Sequence, residues 1–280
     1  MRNILLPLTD PALDRQALFV SRDLASRFDG HVTAVLAPLD HACLSLYADY
    51  PSAPGWTELV EQARHVADAR EAHACRQFEE VQQEAESPGP ARTSLTLRVM
   101  AGSEEEVVVR SALTHDLVLI HRRSRDDIPS LASDPLLSHT LKECGRPVLL
   151  VTDELPRDFA RVVAVAWNGS IEAARAVTAA LPLLQKAERA VILAFRTCRT
   201  QVSLSEELRI YLERHDVRAD VQERECDGFV GTDLLQAVKA LTADLLVMGA
   251  FTRSRVGETA YGAVTQHVIE NISVPVLMAR

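Results

Sequence analysis

At 280 residues, with 47% hydrophobic and 25% charged side chains, the chain can bury a full core and suits one large α/β domain or two of ordinary size. A formal net charge of −9 and a pI near 5.5 argue against non-specific binding to nucleic acid or an anionic membrane, both of which need clustered Lys and Arg. No apolar run reaches eighteen residues, and MRNILLPLTD passes from one basic residue into a short strand-like run, so no signal peptide or membrane span is expected and the cytoplasm is the expected location.

In chain order, NILLPLT (3–9) reads as a strand. The stretch from Pro11 to Phe28 follows it, with Leu13, Ala17, Leu18, Leu24 and Phe28 near helical spacing, and then Val-rich His31–Ala37 as a second strand. An irregular segment with Pro38, Pro51, Pro54 and Gly55 leads into a long polar helix from about Thr57 to Glu86, which SPGP (87–90) ends. TSLTLRVM, a helix from Ser103, DLVLI (116–120), a loop, a helix through Leu141 and RPVLLV (146–151) complete a set of five strands and four helices. Asp153–Asp158, short, charged and containing Pro156, reads as a linker.

The order then starts again. RVVAVAW (161–167), a helix from Ser170, AVILAF (190–195), a helix near Ser205–His215, VRADVQE, a helix from Gly231, DLLVMG, a loop, a helix and VPVLMA follow in turn. Thr114, Asp116 and Leu117 match Thr242, Asp244 and Leu245, and Pro147 matches Pro275, all at an offset of 128 (245 − 117). Asp10 matches Asn168 at 158, so the first half carries roughly thirty extra residues, which the segment 38–86 accommodates. Alternating strands and helices predict parallel sheets covered by helices on both faces. The expected architecture is α/β, with two tandem doubly wound, Rossmann-like domains of five parallel strands each, at 1–152 and 158–280.

The stretch most informative about function is Leu245–Thr265, LLVMGAFTRSRVGETAYGAVT. An apolar run stops at Gly249, a polar loop carries Arg253 and Arg255, and Gly262 opens a helical stretch whose first N–H groups could receive an anion. This layout resembles the universal stress protein family, whose loop reads G-x2-G-x9-G-[ST] and holds the phosphates and ribose of ATP. Gly249 and Gly262 stand at the right spacing, whereas Thr252 occupies the middle glycine position and Ala263 the hydroxyl position. The resemblance covers nearly the whole chain and is strongest over 160–280. It implies the adenine nucleotide alpha hydrolase-like variant of the fold, and a stress-response module.

On that resemblance, ligands sit outside the carboxyl ends of the first and fourth strands of a half. In the second half these ends are Ala166-Trp167-Asn168 and Met248-Gly249. Gly249 and Gly262 would admit a ligand close to the backbone, the N–H groups of Ala263, Val264 and Thr265 would bind oxyanions, and Arg253 or Arg255 would offset phosphate charge. Thr252 adds bulk, and Thr265 could replace the hydroxyl lost at Ala263. Asn168 stands where the family usually has Asp, keeping hydrogen bonding but weakening a contact to Mg²⁺. Trp167 either stacks on the ligand or packs under the neighbouring helix. The expected cofactor is ATP, with Mg²⁺, in the C-terminal half only. The alternative for both glycines is a tight turn and a helix start with no ligand, and the chain would then be a nucleotide-independent interaction protein.

In the first half His121, Ser124, Asp134 and Pro135 replace Gly249, Thr252, Gly262 and Ala263. Pro135 removes an N–H and Asp134 suits an N-cap, so no nucleotide is expected there. Arg122, Arg123 and Arg125 read as a solvated basic loop offset by Asp126 and Asp127, and Glu61, His65 and His73 as a solvated helix face in preference to a metal site. Tyr47, Tyr50 and Trp56 read as a small cluster under a long loop. The five cysteines, with no C-x-x-C, read as free thiols.

No phosphate loop, G-x-S-x-G elbow or G-x-G-x-x-G occurs, so an enzyme is the weakest expectation, at most slow ATP hydrolysis. In the family the final strands pair across the dimer. Pro147–Val151 and Pro275–Ala279 are therefore expected to join the two halves into a pseudo-dimer, with a homodimer of the whole chain as a further expectation.

Overall fold

The computed structural model describes residues 1–38, 56–85, 93–122, 134–151, 155, 159–196, 204–226, 228–250 and 262–280. These form two compact units, 1–120 and 121–280.

In the first unit the aliphatic runs become strands because side chains on both faces are buried: Ile4, Leu5 and Leu6 in β1 (Asn3–Pro7) and Val32, Ala34 and Leu36 in β2 (His31–Leu36) are all closed to solvent. α1 (Asp14–Ser26) crosses between them. A long α2 (Trp56–Ala85) precedes β3 (Ser94–Val99), and α3 (Glu104–Ala112) precedes β4 (Leu117–His121). The strand order is β3-β2-β1-β4, all parallel. Ser103 caps α3 by accepting from the N–H of Glu106, and three glutamates fill the first turn, where the helix dipole favours them.

The second unit begins with α4 (Pro135–Glu143) and β5 (Val148–Val151). The repeat then runs β6 (Val162–Trp167), α5 (Ile171–Leu184), β7 (Arg189–Arg196), α6 (Ser205–Glu213), β8 (Ala219–Glu225), α7 (Val230–Ala240), β9 (Leu245–Gly249), α8 (Ala263–Asn271) and β10 (Val276–Ala279). Its order, β5-β10-β9-β6-β7-β8, is parallel except at β5, which pairs antiparallel with β10, Leu149 beside Leu277. The run that closes the first repeat in sequence thus hydrogen-bonds to the run that closes the second, the pairing expected of 147–151 and 275–279.

The repeat is visible in hydrogen bonds as well as in order. Asp116 accepts from the N–H groups of Arg2 (2.7 Å) and Asn3 (3.1 Å), and its counterpart Asp244 accepts from those of Arg161 (3.0 Å) and Val162 (3.1 Å). Asp10 Oδ1 takes the N–H of Ala12 at 2.9 Å, and Asn168 Oδ1 takes that of Ser170 at 3.0 Å. These two residues close the same turn after the first strand of each repeat, although one ends in an acid and the other in an amide.

The halves differ most in the second crossover. α2 has 30 residues where α6 has 9. Ala67, Ala74, Phe78 and Val81, spaced along one face of α2, are buried, and the helix packs on α1. A buried ion pair, Arg70 Nη1 to Asp14 Oδ2 at 2.6 Å, and a bond from Arg22 to the carbonyl of Val81 at 3.1 Å fix it there. His73, expected on a solvated face, bonds through Nε2 to the carbonyl of Pro11 at 3.2 Å. Tyr47 and Tyr50, and the side chain of Trp56, lie outside the described residues.

Candidate functional site

The cleft of the second unit lies outside the carboxyl ends of β6 and β9, from which the strand order runs to β7 on one side and β10 on the other. That switch point is where an open α/β sheet leaves a crevice. The end of β6 brings Ala166, Trp167 and Asn168, and the end of β9 brings Met248 and Gly249. The first turn of α8 brings Gly262, Ala263, Val264 and Thr265. These nine sequence-predicted residues line one cavity of about 350 Å³. Thr252 and Arg253 lie outside the described residues, as do Arg255, Ser124, Arg123, Arg125, Asp126 and Asp127.

Sequence reasoning missed four lining residues. Leu193 and Phe195 come from the end of β7, and Val230 and Leu234 from α7. β7 is the neighbour of β6, so its carboxyl end belongs to the same crevice. The run AVILAF contained that signal, but no motif pointed to it. These residues form an apolar wall. Among the described residues no charged side chain lines the cleft, so the lining supplies apolar contact, the Asn168 amide, the Thr265 hydroxyl and backbone N–H groups, and no group that exchanges a proton near neutral pH.

The two glycines have different reasons. A Cβ on Gly249 would stand 2.6 Å from the backbone nitrogen of Ala173 and 2.8 Å from the carbonyl carbon of Glu172, so this glycine exists to let the first turn of α5 lie against the strand end. The sequence offers two reasons, close approach of a ligand or a tight turn, and the residue also lines the cavity. Gly262 has φ −54° and ψ 123°, open to any residue, and α8 receives no side-chain cap from it. The N-terminus of α8 therefore presents N–H groups at the cleft uncovered by an N-cap side chain. Asn168 is held by Ser170, whose hydroxyl in turn caps α5 at Ala173 (3.1 Å). Trp167 is half-buried, and its Nε1 is closed to solvent with no hydrogen-bond partner.

In the first unit the ends of β1 and β2 lie against the start of α3. Pro7, Leu8, Thr9, Val35, Ala37, Glu104, Val107 and Val108 surround a space of about 10 Å³. At the start of α4, Asp134 accepts from the N–H of Leu137 at 2.9 Å, with Pro135 at the first helical position, as expected of an N-cap. Arg122 departs from the solvated loop expected of it: its side chain is 10% exposed and Nη2 lies 2.9 Å from Asp134. Burial lowers the pKa of its guanidinium, and the Asp134 carboxylate opposes that shift.

A model of the universal stress protein family matches residues 160–280. The C-terminal half belongs to that family. Among solved structures, the chain is similar to a universal stress protein from Archaeoglobus fulgidus DSM 4304, with 14% identity, a TM-score of 0.71, and 99% of this chain and 98% of that one covered. A functionally unknown protein from Pseudomonas aeruginosa PAO1 follows at 15% identity and a TM-score of 0.58, covering 99% and 92%. At these identities the likenesses concern the fold, and they extend it beyond the matched universal stress protein domain to the whole tandem chain. No curated protein matches the sequence. Among the described residues no helix is long and apolar enough to cross a membrane, and no cluster of His, Cys, Asp or Glu could hold a metal ion. Cys75, Cys144 and Cys226 are thiols that take part in no disulfide.

Proposed function

We propose that the chain is a non-enzymatic stress-response module of the cytoplasm that holds an adenine nucleotide, ATP being the reference ligand, in the cleft of its C-terminal half. The observation that carries this reading is the convergence of Ala166–Asn168, Met248–Gly249 and Gly262–Thr265 on one cavity at the switch point, with the uncapped N-terminus of α8 at its edge. Mg²⁺ would travel with the phosphates, since the Oδ1 of Asn168 already accepts the N–H of Ser170. Occupancy would alter contacts with a partner protein or between copies of the chain. The first half takes no part in nucleotide binding, in keeping with the Asp134 cap and with Pro135 at the first position of α4.

Calorimetric titration of the full chain with ATP and Mg²⁺ tests the reading. One site per chain at micromolar affinity, lost in Gly262→Val, is the expected result; the φ of Gly262 accepts valine without strain. No heat at millimolar ATP would instead favour an interaction protein with two degenerate sites.

A further inference from the structure

We infer that a basic groove between α4 and α5, apart from the cleft above, docks a short acidic segment of a partner protein that also carries apolar side chains. The groove lies wholly within the second unit and measures about 750 Å³. α4 ends at Glu143, and the chain reverses at Gly145, whose φ of 62° favours glycine, so that Lys142 and Arg146 reach the same groove. Because β10 runs antiparallel to β5, with Met278 beside Val148, Ala279 and Arg280 fall level with Pro147 and Arg146. α5 packs over β9 and β10 and keeps Ile171, Ala174, Arg175 and Thr178, one helical face, exposed toward the groove. Two bonds join these walls: Arg175 Nη1 donates to the backbone oxygen of Arg280 at 2.9 Å, and Arg280 Nη1 to the carbonyl of Lys142 at 2.7 Å. They fix both guanidiniums in place without setting a carboxylate side chain against either.

The lining selects the occupant. Among the described residues, Lys142, Arg146, Arg175 and Arg280 bring four cations to the groove, and Glu143 brings the one carboxylate side chain. A main-chain carboxylate at residue 280 would leave four cations against two anions. Guanidinium forks hold carboxylates through two parallel bonds. The cations are set around apolar surface, with Ile171 68% exposed and Ala174 and Pro147 also in the lining. An inorganic anion gains nothing from that surface, whereas a peptide that mixes acidic and apolar side chains uses both. The net charge of −9 opposes a nucleic acid or an anionic membrane, whose charge extends past the groove, and a short segment is the partner that fits.

Fluorescence polarisation of the full chain with a short labelled peptide of repeated Glu-Glu-Leu tests the inference. Saturable binding that falls with salt is expected, weakened about tenfold or more when Gln replaces every Glu or Gly every Leu. The double substitution Arg175→Glu with Arg280→Glu should weaken the peptide by about tenfold or more. Ile171→Asp should do the same while keeping the fold, since the side chain is exposed and a helix start favours an acid. Absence of binding, equal binding of the Gln peptide, or full affinity in both variants would overturn the inference. Binding to phosphatidylserine vesicles without binding to the peptide would also overturn it, and would assign the groove to a membrane.

Discussion

Gly249 illustrates how one residue can satisfy a motif for a reason the motif does not state. Its missing Cβ is demanded by the backbone of Glu172 and Ala173, so Gly249→Ala should destabilise the protein by about 1–3 kcal/mol, read as a lower urea midpoint at constant slope, in the absence of any ligand. A wild-type midpoint would mean that α5 can retreat at no cost. Asp14 carries a second test at this scale. Burial raises its pKa, Arg70 works against that shift through a hydrogen bond and its charge, and Asp10 acts both ways, its N–H lowering the pKa and its carboxylate raising it. The folded carboxyl thus holds its proton more tightly than the unfolded one. Its contribution is fully present below the ordinary Asp pKa of about 3.9 and is lost as pH rises through the higher folded value. Asp14→Asn should flatten that part of the stability profile, since the amide neither ionises nor loses the acceptor that faces Arg70. An unchanged profile would show that Asp14 does not titrate differently on folding.

Among the elements, α4 and α8 occupy the same place in the two repeats and begin differently. α4 starts on Asp134, tied to Leu137 and Arg122, and α8 starts on Gly262 with no side-chain cap. Asp134→Ala removes the cap and strips Arg122 of its carboxylate, so a loss of at least about 1–2 kcal/mol is expected in thermal or urea unfolding. A loss below about 0.5 kcal/mol would show that the cap is idle. Element order, the capping Ser103, Ser170 and Asp134, and the length of α2 were legible in the sequence, because each depends on local periodicity or on one residue at a helix start. The burial of Arg122, the seat of α2 on α1 through Asp14 and Arg70, and the wall of Leu193, Phe195, Val230 and Leu234 were not. They arise from residues far apart in sequence that only the crossovers bring together, and nothing in their spacing marks them.

For the molecule as a whole, the two repeats share a strand order and differ at the helix that follows the fourth strand: in the second a cavity of about 350 Å³ includes the start of α8, and in the first α4 opens on a capping Asp134 and Pro135. Trp167, Phe195 and Leu234 border the cavity of the second unit, and Leu8, Ala37 and Val107–Val108 surround a space of about 10 Å³ beside the ends of β1 and β2. The central claim, that one cleft in the C-terminal half holds the adenine nucleotide, is tested most directly by photolabelling the full chain with an azido-adenine nucleotide and mapping the modified peptides. Label confined to peptides from 162–196, 228–250 and 262–280, and competed away by unlabelled ATP, is the predicted result. Competed label within residues 1–120, or none that ATP can displace, would contradict it.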